Sequence, residues 1–310
     1  MQVIQGKDFC LKEPCAVSIG KFDGLHKGHK MIVDDLVRSK AFGLKSVVFS
    51  FLPSPEVFFG RQDGKFVLTE AEKQEILASW GVDLYVLYPF DEETATMEAD
   101  TFLKKVLIGQ LNMKRLVAGR DLSFGHKGKG TVEFLEEKER EYSYHLQVHP
   151  KLCVEEEEIS ASFLRDAITF GEIERATFLM GRDYMVSGVV CEGNHIGRTL
   201  GFPTCNIVPS QDKLLPPDGV YVTFTEVDGI KYPSVTNIGW KPTVSEHESY
   251  CLETHLLDVS VSCYGKQIKV YFCAMLRKEC KFDSLEKLQR QIAKDKKSAF
   301  DFHKLFERFI

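Results

Sequence analysis

The sequence has no apolar run approaching the ~18 residues that a membrane-spanning helix needs, and its first residues, MQVIQGKDFC, show no charged segment leading into an apolar one. Neither a membrane partner nor a secretion signal is expected, and the expected compartment is the cytoplasm. No Cys-x-x-Cys pair occurs. The nine cysteines, at positions 10, 15, 153, 191, 205, 251, 263, 273 and 280, are scattered through apolar surroundings. That pattern points to reduced, mostly buried thiols rather than a disulfide framework or a zinc site. Positive charge is not in excess: the net charge is −5 and the pI near 6.0. Nucleic acid is therefore an unexpected partner, because polyanion binders carry a basic face that releases counterions. A local basic patch can still hold a small phosphate ligand. What is present is a chain of 310 residues, 44% apolar and 27% charged, which can build a substantial core and fits two domains better than one.

The chain changes character near residue 182. Before it, apolar runs at 16–19, 46–51, 84–88, 115–118 and 146–148 alternate with helical patterns at 31–42, 69–80 and 100–111. This is the rhythm of parallel strands joined by right-handed crossovers. Thr69 and Glu72 have capping-box spacing and Gly81 provides a stop, so the second helix is well marked. Residues 1–182 are expected to form an α/β domain. After Arg182 the pattern becomes two-residue alternation. Val220, Val222 and Phe224 fall on one face of a strand that runs into Asp228-Gly229, a strong hairpin signal. A second hairpin is expected from Leu257, Val259, Val261 and Cys263, a turn at 264–266 and a return over 268–275. The tail, 284–310, reads as a helix with Leu285, Leu288 and Ile292 on one face and Phe302, Leu305, Phe306 and Phe309 on another. Residues 183–310 are thus expected to be an antiparallel β-barrel or sandwich closed by a C-terminal helix.

Within the first half, SIGKFDGLHKGH (18–29) places a glycine-broken turn after the first strand and a helix start near His26. A helix N-terminus attracts anions, and residues three apart share a helix face. His26 and His29 can therefore address one phosphate, with Gly28 leaving room. On the residues alone, two histidines in an ordinary βα turn fit a structural role equally well. The longer string GKFDGLHKGH resembles the His-x-Gly-His signature of the nucleotidyltransferase superfamily, in the form found in prokaryotic FAD synthetases. AGRDLSFGHKGKG (118–130) is similar to the family's Gly-x-Asp-Phe-Arg-Phe-Gly segment, with Gly119, Asp121, Phe124, Gly125 and Gly130 in register. ISASFLR (159–165) is similar to its Ile-Ser-Ser-Thr-x-Ile-Arg motif. The resemblance implies a Rossmann-like fold with a parallel sheet and a nucleotide site at Gly20, Phe22, Asp23, Gly24, Gly28, Gly119, Asp121, Ser160 and Ser162. It implies catalytic roles for His26, His29 and Arg165, and it puts the basic loop GHKGKG beside the nucleotide. The run of glutamates at 155–158 reads as a solvated acidic face. Three positions depart from the family pattern: Ser54 stands for a histidine in FLPSP, Ser123 for an arginine, and Ala161 for a serine.

The second half carries its own resemblance. GNHIGRTLGFPTCNI (193–207) is similar to the riboflavin kinase motif Gly-Arg-x-Leu-Gly-Phe-Pro-Thr-Ala-Asn, with Cys205 in place of alanine. LPPDGVY (215–221), NIGWKPTV (237–244), LETHLLD (252–258) and LRKECKF (276–282) resemble the same family in the same order. Thr204 and Asn206 offer oxygen ligands of the kind a hard Mg²⁺ prefers. The resemblance implies flavin or nucleotide contacts at Gly197, Arg198, Gly201, Pro203, Asn237 and Arg277, and a general base at Glu253.

The expected protein is a bifunctional enzyme that converts riboflavin and ATP to FMN, then FMN and ATP to FAD and pyrophosphate. Mg²⁺ accompanies ATP as cofactor, and the expected state is a monomer or a weak homo-oligomer. FMN presents a phosphate already ionised at neutral pH, so its adenylylation needs positioned donors rather than a base. Riboflavin presents a neutral hydroxyl that must lose a proton, so its phosphorylation needs one. Two other readings stay open on the sequence: an active kinase with a weakened adenylyltransferase, and a flavin-binding regulator without turnover. Accumulation of FMN without FAD marks the first, and failure to consume ATP the second.

Overall fold

Each apolar run of the first half is a strand. The structure, a computed structural model, describes residues 1–154, 157–191, 202–242, 248–259 and 261–306. It divides into two units, Met1–Ala161 and Ser162–Ile310. In the first unit β1 (Gln2–Gln5) and β2 (Cys15–Ile19) precede α1 (Lys27–Arg38) and β3 (Lys45–Leu52). Next come the single turn α2 (Pro55–Phe58), α3 (Glu70–Ser79), β4 (Leu84–Pro89) and α4 (Glu92–Thr96). The helix α5 (Ala99–Phe102) runs on as a π-helix, Leu103–Gln110, into β5 (Met113–Gly119). The unit closes with α6 (Val132–Tyr142), β6 (His145–His149), β7 (Cys153–Val154) and β8 (Glu157–Glu158).

Six of these strands form one parallel sheet in the order β1-β4-β3-β2-β5-β6. Strands β2, β3 and β4 are buried on both faces, which explains why they read as continuous apolar runs rather than alternations. One face packs Val17, Phe49, Val86 and Leu116 against Phe102, Leu103 and Leu107. The capping box of α3 is complete, with Thr69 Oγ1 accepting from Glu72 N at 3.3 Å and Glu72 Oε2 accepting from Thr69 N at 3.0 Å. In this unit, besides the short elements α2, α4, β7 and β8, two others lie outside the sequence expectation. β1 is a mostly exposed edge strand, and α6, VEFLEEKEREY, fully buries only Val132 and Leu135, packs Phe134 and Tyr142 partly buried against the core, and is otherwise charged. Among the glutamates, Glu157 and Glu158 pair with Cys153 and Val154 in a short antiparallel ladder, and Glu158 meets Lys151 in an ion pair.

The second unit takes in most of α7 (Ala161–Thr169), then α8 (Ile173–Met180), β9 (Tyr184–Cys191) and β10 (Cys205–Ile207). β11 (Gly219–Val227), β12 (Ile230–Pro242), β13 (Glu248–Leu256), β14 (Gln267–Lys278) and α9 (Leu285–Phe306) complete it. The strands close into an antiparallel barrel in the order β10-β13-β12-β11-β14-β9. β11 and β12 form the expected hairpin, with Asp228 and Gly229 both at positive φ in the turn. The second expected hairpin is corrected. β13 ends at Leu256 and pairs with β10 and β12, while β14 pairs with β11 and β9. Alternating Leu257, Val259, Val261 and Cys263 imitate a strand, yet the described residues from 257 to 263 are not in one.

A row of hydroxyls lines the barrel interior. Thr225, Ser234, Thr223, Thr236 and Thr254 are buried and linked in that order by contacts of 2.8 Å. On the outer face Val220, Val222 and Val235 pack against Ala299 of α9. The buried stripe of α9 is Asp295, Ala299 and His303, spaced four apart, whereas Leu285 and Leu305 are 63% and 57% exposed. Two of the three stripe residues are polar, so hydropathy does not mark the stripe. Of the expected face residues, Phe302 packs against the barrel cluster, while the Phe306 side chain and Phe309 lie outside the described residues. Asp295 is buried because the Arg277 guanidinium grips it at 2.8–3.1 Å, and His303 because it packs on Phe224 with ring centroids 4.5 Å apart. All nine cysteines are free, and four of them, Cys10, Cys153, Cys191 and Cys280, are exposed, which corrects the expectation of mostly buried thiols.

Candidate functional site

The order of the parallel sheet reverses between β2 and β5, and ligands of open α/β sheets bind outside the carboxyl ends of the strands at such a point. Both strands end there in a glycine turn. After β2, Gly20 N–H donates to Phe49 O at 3.0 Å and Gly20 O accepts from Ser50 Oγ at 2.8 Å. Phe22, Gly24 and Leu25 all take positive φ in the tight turn that follows. Asp23 is buried, and its Oδ1 accepts Val67 N–H at 2.9 Å, tying the turn to the segment that leads into α3.

His26 is the N-cap of α1 rather than its first residue, and its Nδ1 accepts His29 N–H at 3.3 Å. The two rings stack with centroids 3.8 Å apart and planes inclined by 21°, and Phe22 lies 5.1 Å from the His29 ring. A backbone N–H can only donate, so the neutral His26 ring carries its proton on Nε2. The room left by Gly28 is taken by His26, since a Cβ there would stand 3.2 Å from that ring.

α1 is fixed in place by its third turn. Asp35 accepts from Arg115 of β5 at 3.0 and 3.2 Å and meets His149 Nε2 of β6 at 2.8 Å. Burial works to raise the Asp35 carboxyl, but the hydrogen bond to His149 and the Arg115 charge outweigh it and hold the group below its ordinary value. A lowered folded pKa contributes stability above the unfolded carboxylate range, and that stability is lost as pH falls through the folded value. In Asp35→Asn, thermal unfolding should therefore come earlier than in wild type at neutral pH, with the gap closing on acidification. A constant gap would show that the charge is not what holds the helix.

After β5, a Cβ on Gly119 would stand 3.0 Å from Asp121 Oδ1 and 3.6 Å from Ile32 of α1. The loop beyond is pinched by paired backbone bonds between Phe124 and Gly130, at 3.1 and 2.9 Å. Gly125 has φ +70° and its hypothetical Cβ would lie 2.7 Å from the Ala99 Cα, so only glycine fits. The basic loop is thus a built turn, with His126 and Lys129 paired to Glu98 at 3.3 and 3.7 Å. Ser54, at the carboxyl end of β3, is buried, and its Oγ has no hydrogen-bond partner among the described residues. Ser160 precedes α7. Ser162 and Arg165 share a face of that helix and belong to the second unit.

In the barrel, strand register brings a second group together. Asn206 of β10 pairs with Glu253 of β13, which pairs with Asn237 of β12; Val220 and then Arg277 continue the same row. In-register neighbours project to the same face. Val220 packs under α9, so this row lies on the outer face, opposite the hydroxyl chain. Asn206 is 6% exposed, and its Oδ1 has no hydrogen-bond partner among the described residues. Thr204 and Pro203 lie just before β10. Arg277 is engaged by Asp295 of α9. Gly197, Arg198 and Gly201 lie outside the described residues. Sequence reasoning passes over His255, although period-two alternation in LETHLLD sets it on the face of Glu253; its Nδ1 meets Pro203 O at 2.8 Å.

Known proteins give the same division. A family model described as FAD synthetase matches residues 9–163, and one described as riboflavin kinase matches residues 180–303. The bifunctional riboflavin kinase/FMN adenylyltransferase of Bacillus subtilis (strain 168) is 33% identical over 92% of this chain and 92% of its own length. The protein of the same description from Escherichia coli (strain K12) is 35% identical over 94% of this chain and 93% of its own. A crystal structure described as a macrolide-efflux protein from Streptococcus pneumoniae superposes with a TM-score of 0.86 at 30% identity, covering 96% of this chain and 99% of that one. Among the described residues no helix is long and apolar enough to cross a membrane. Two family models in tandem, and relatives aligned almost end to end, place this chain in the bifunctional riboflavin kinase/FMN adenylyltransferase family.

Proposed function

We propose that the family's two reactions are carried by two separate groups of residues in this chain: the turn and histidine pair at the β2/β5 switch point, and the Asn206–Glu253–Asn237 row of the barrel. The observation that carries the proposal is the buried Asn206 Oδ1, an acceptor with no hydrogen-bond partner among the described residues, in register with the Glu253 carboxylate. A buried polar atom without a partner is costly unless a ligand supplies one. Together with Thr204 it forms an all-oxygen pair suited to a hard divalent cation, which we take to be Mg²⁺. When bound, that ion would neutralise charge on the transferring phosphoryl group.

In the kinase reaction Glu253 accepts the proton of the riboflavin hydroxyl as it attacks ATP, and Asn237 stands beside it to orient the flavin or nucleotide. Pro203 stiffens the approach to Thr204, while Gly197, Arg198 and Gly201 belong to the same motif. Arg277 acts from β14 and is oriented by Asp295. In the adenylyl transfer FMN is already an anion, so catalysis lies in donors held ready for charge on the α-phosphate and on departing pyrophosphate. His26, through Nε2–H, and His29 are those donors. Gly20, Phe22, Asp23, Gly24, Gly28, Gly119, Asp121 and Ser160 shape the nucleotide site, and the resemblance of ISASFLR to the family motif is the reason for assigning Ser162 and Arg165 to the same reaction. Ser54 offers a buried hydroxyl at the same edge. We read the protein as cytoplasmic, without nucleic-acid or membrane partners, and monomeric or weakly associated.

The test is direct: riboflavin, ATP and Mg²⁺ are incubated with the protein and the flavins separated by chromatography. FMN should form first and FAD after it, with no flavin product when Mg²⁺ is withheld. FMN accumulating without FAD would leave only the barrel half of the proposal standing.

The division of activities near residue 182 is part of the proposal and predicts that each half works alone. Ile173, Ala176, Leu179 and Met180 of α8 are buried, and α8 packs on β14 and β9. A fragment starting at Ser162 should therefore phosphorylate riboflavin and melt well above one starting at Asp183. Burying each large apolar side chain of that helix contributes about 1.5–3 kcal/mol. Equal melting temperatures would show that α8 adds nothing to the barrel.

A further inference from the structure

From the geometry around β13 we infer that His255 is a positioning residue of the kinase site, which clamps the Pro203–Thr204 segment to the strand that carries Glu253. The inference rests on the reading of Thr204 and Asn206 as ligands of the nucleotide-bound metal. The backbone ladder between β10 and β13 begins only at Cys205, so Asn206 is held by strand pairing and Thr204 is not. The contact that reaches across is His255 Nδ1 to Pro203 O at 2.8 Å, a link between residues 52 apart in sequence. A carbonyl oxygen only accepts, so Nδ1 carries the proton and Nε2 of the neutral ring is left as an acceptor. Burial favours that neutral form by lowering the pKa of the ring.

The ring is otherwise locked. It is 8% exposed, and Phe202 meets it edge-on with centroids 5.7 Å apart. His255 stands two residues along β13 from Glu253, hence on the same face. Its Nε2 is buried without a hydrogen-bond partner among the described residues, as is Asn206 Oδ1. Lys296 and Asp258, themselves paired at 3.2 Å, are the charged groups facing the ring from α9 and from the segment after β13. A side chain that fixes the backbone on one side of a ligand residue, and shares a strand face with the base, sets the spacing between metal and base without touching either reactant. Such supporting contacts typically carry 10–100-fold in metal affinity or activity.

The test compares His255→Phe, which keeps a ring of similar shape without the donor, with His255→Asn, whose amide N–H can stand where Nδ1–H stood. Calorimetry of ADP binding with and without Mg²⁺ is read alongside kinase kinetics in the full chain, with adenylylation of supplied FMN as the internal control. His255→Phe should weaken Mg²⁺-dependent ADP binding about tenfold or more and raise the Mg²⁺ concentration for half-maximal kinase rate to match. Metal-free ADP binding and FMN adenylylation should be unchanged, and His255→Asn should recover most of the loss. Asn206→Ala is run in parallel. If it leaves Mg²⁺ dependence unaltered, the metal-site reading itself falls. If it shifts Mg²⁺ dependence and a folded His255→Phe does not, the clamp alone is wrong. Should His255→Phe fail to fold, the Asn variant decides: Mg²⁺-dependent binding near wild type supports the clamp, and loss as large as in Asn206→Ala overturns it.

Discussion

Replacement of His29 by alanine should abolish FAD formation while FMN continues to form from riboflavin. Deleting one preorganised donor to a developing phosphoryl charge costs about 3–4 kcal/mol, a rate loss on the order of several hundredfold. The backbone bond from His29 N–H to His26 Nδ1 survives the change, so the start of α1 should hold and the loss should fall on chemistry. The other reaction of the same chain is the control, since Glu253 and its neighbours belong to the barrel. Wild-type rates of FAD synthesis in His29→Ala would remove the histidine pair from the mechanism. Parallel loss of FMN synthesis would indicate damage beyond the site.

Glu253→Gln should give the mirror result. A glutamine of nearly the same shape keeps its place on β13 but cannot take a proton, so riboflavin phosphorylation should fall by about 10²–10⁴-fold. Adenylylation of supplied FMN should stay near normal, because that nucleophile has no proton to lose. Steady-state rates of both half-reactions on one preparation decide the matter. An unchanged kinase rate would eliminate Glu253 as the base, and equal loss of both activities would make its role structural.

How far the sequence reveals this protein depends on which residues do the burying. Strands β2 to β4 are enclosed by the sheet's two layers, and their apolar runs leave no ambiguity. β11 and β12 are legible through Asp228-Gly229, whose turn requires positive φ at both positions. α6 hides because a helix that fully buries only two residues among many charges has little periodicity to show. The buried face of α9 hides for the opposite reason: Asp295 and His303 are inside because Arg277 and Phe224 receive them, and those partners are distant in sequence. The misplaced second hairpin has a third cause. Leu257 to Cys263 alternate like a strand, but pairing is decided by the closure of the barrel, which hydropathy does not encode.

The same limit holds at the candidate sites. Motif spacing finds His26, His29, Thr204, Asn206 and Glu253 one by one, whereas strand register unites Asn206, Glu253 and Asn237 in a row. The stacking of the histidine rings depends on His26 being a cap, a one-residue matter beyond the reach of periodicity. His255 shows its face in the sequence, but its bond to Pro203 exists only once β10 and β13 are neighbours.

The hydroxyl chain inside the barrel has a direction. Each hydroxyl owns a single proton, and Ser234 spends its own on the Thr223 carbonyl at 3.0 Å. Thr225 and Thr223 must then both donate to Ser234, Thr236 must donate to Thr223, and Thr254 must donate to Thr236. The protons therefore run one way, from β13 through β12 and β11 to a carbonyl that ends the relay. Ser234 is its terminus, so exchanging that serine for alanine would withdraw the acceptor from two threonines at once and leave every upstream proton to find a new orientation. Three adjacent strands of the barrel are wired to one small side chain on β12.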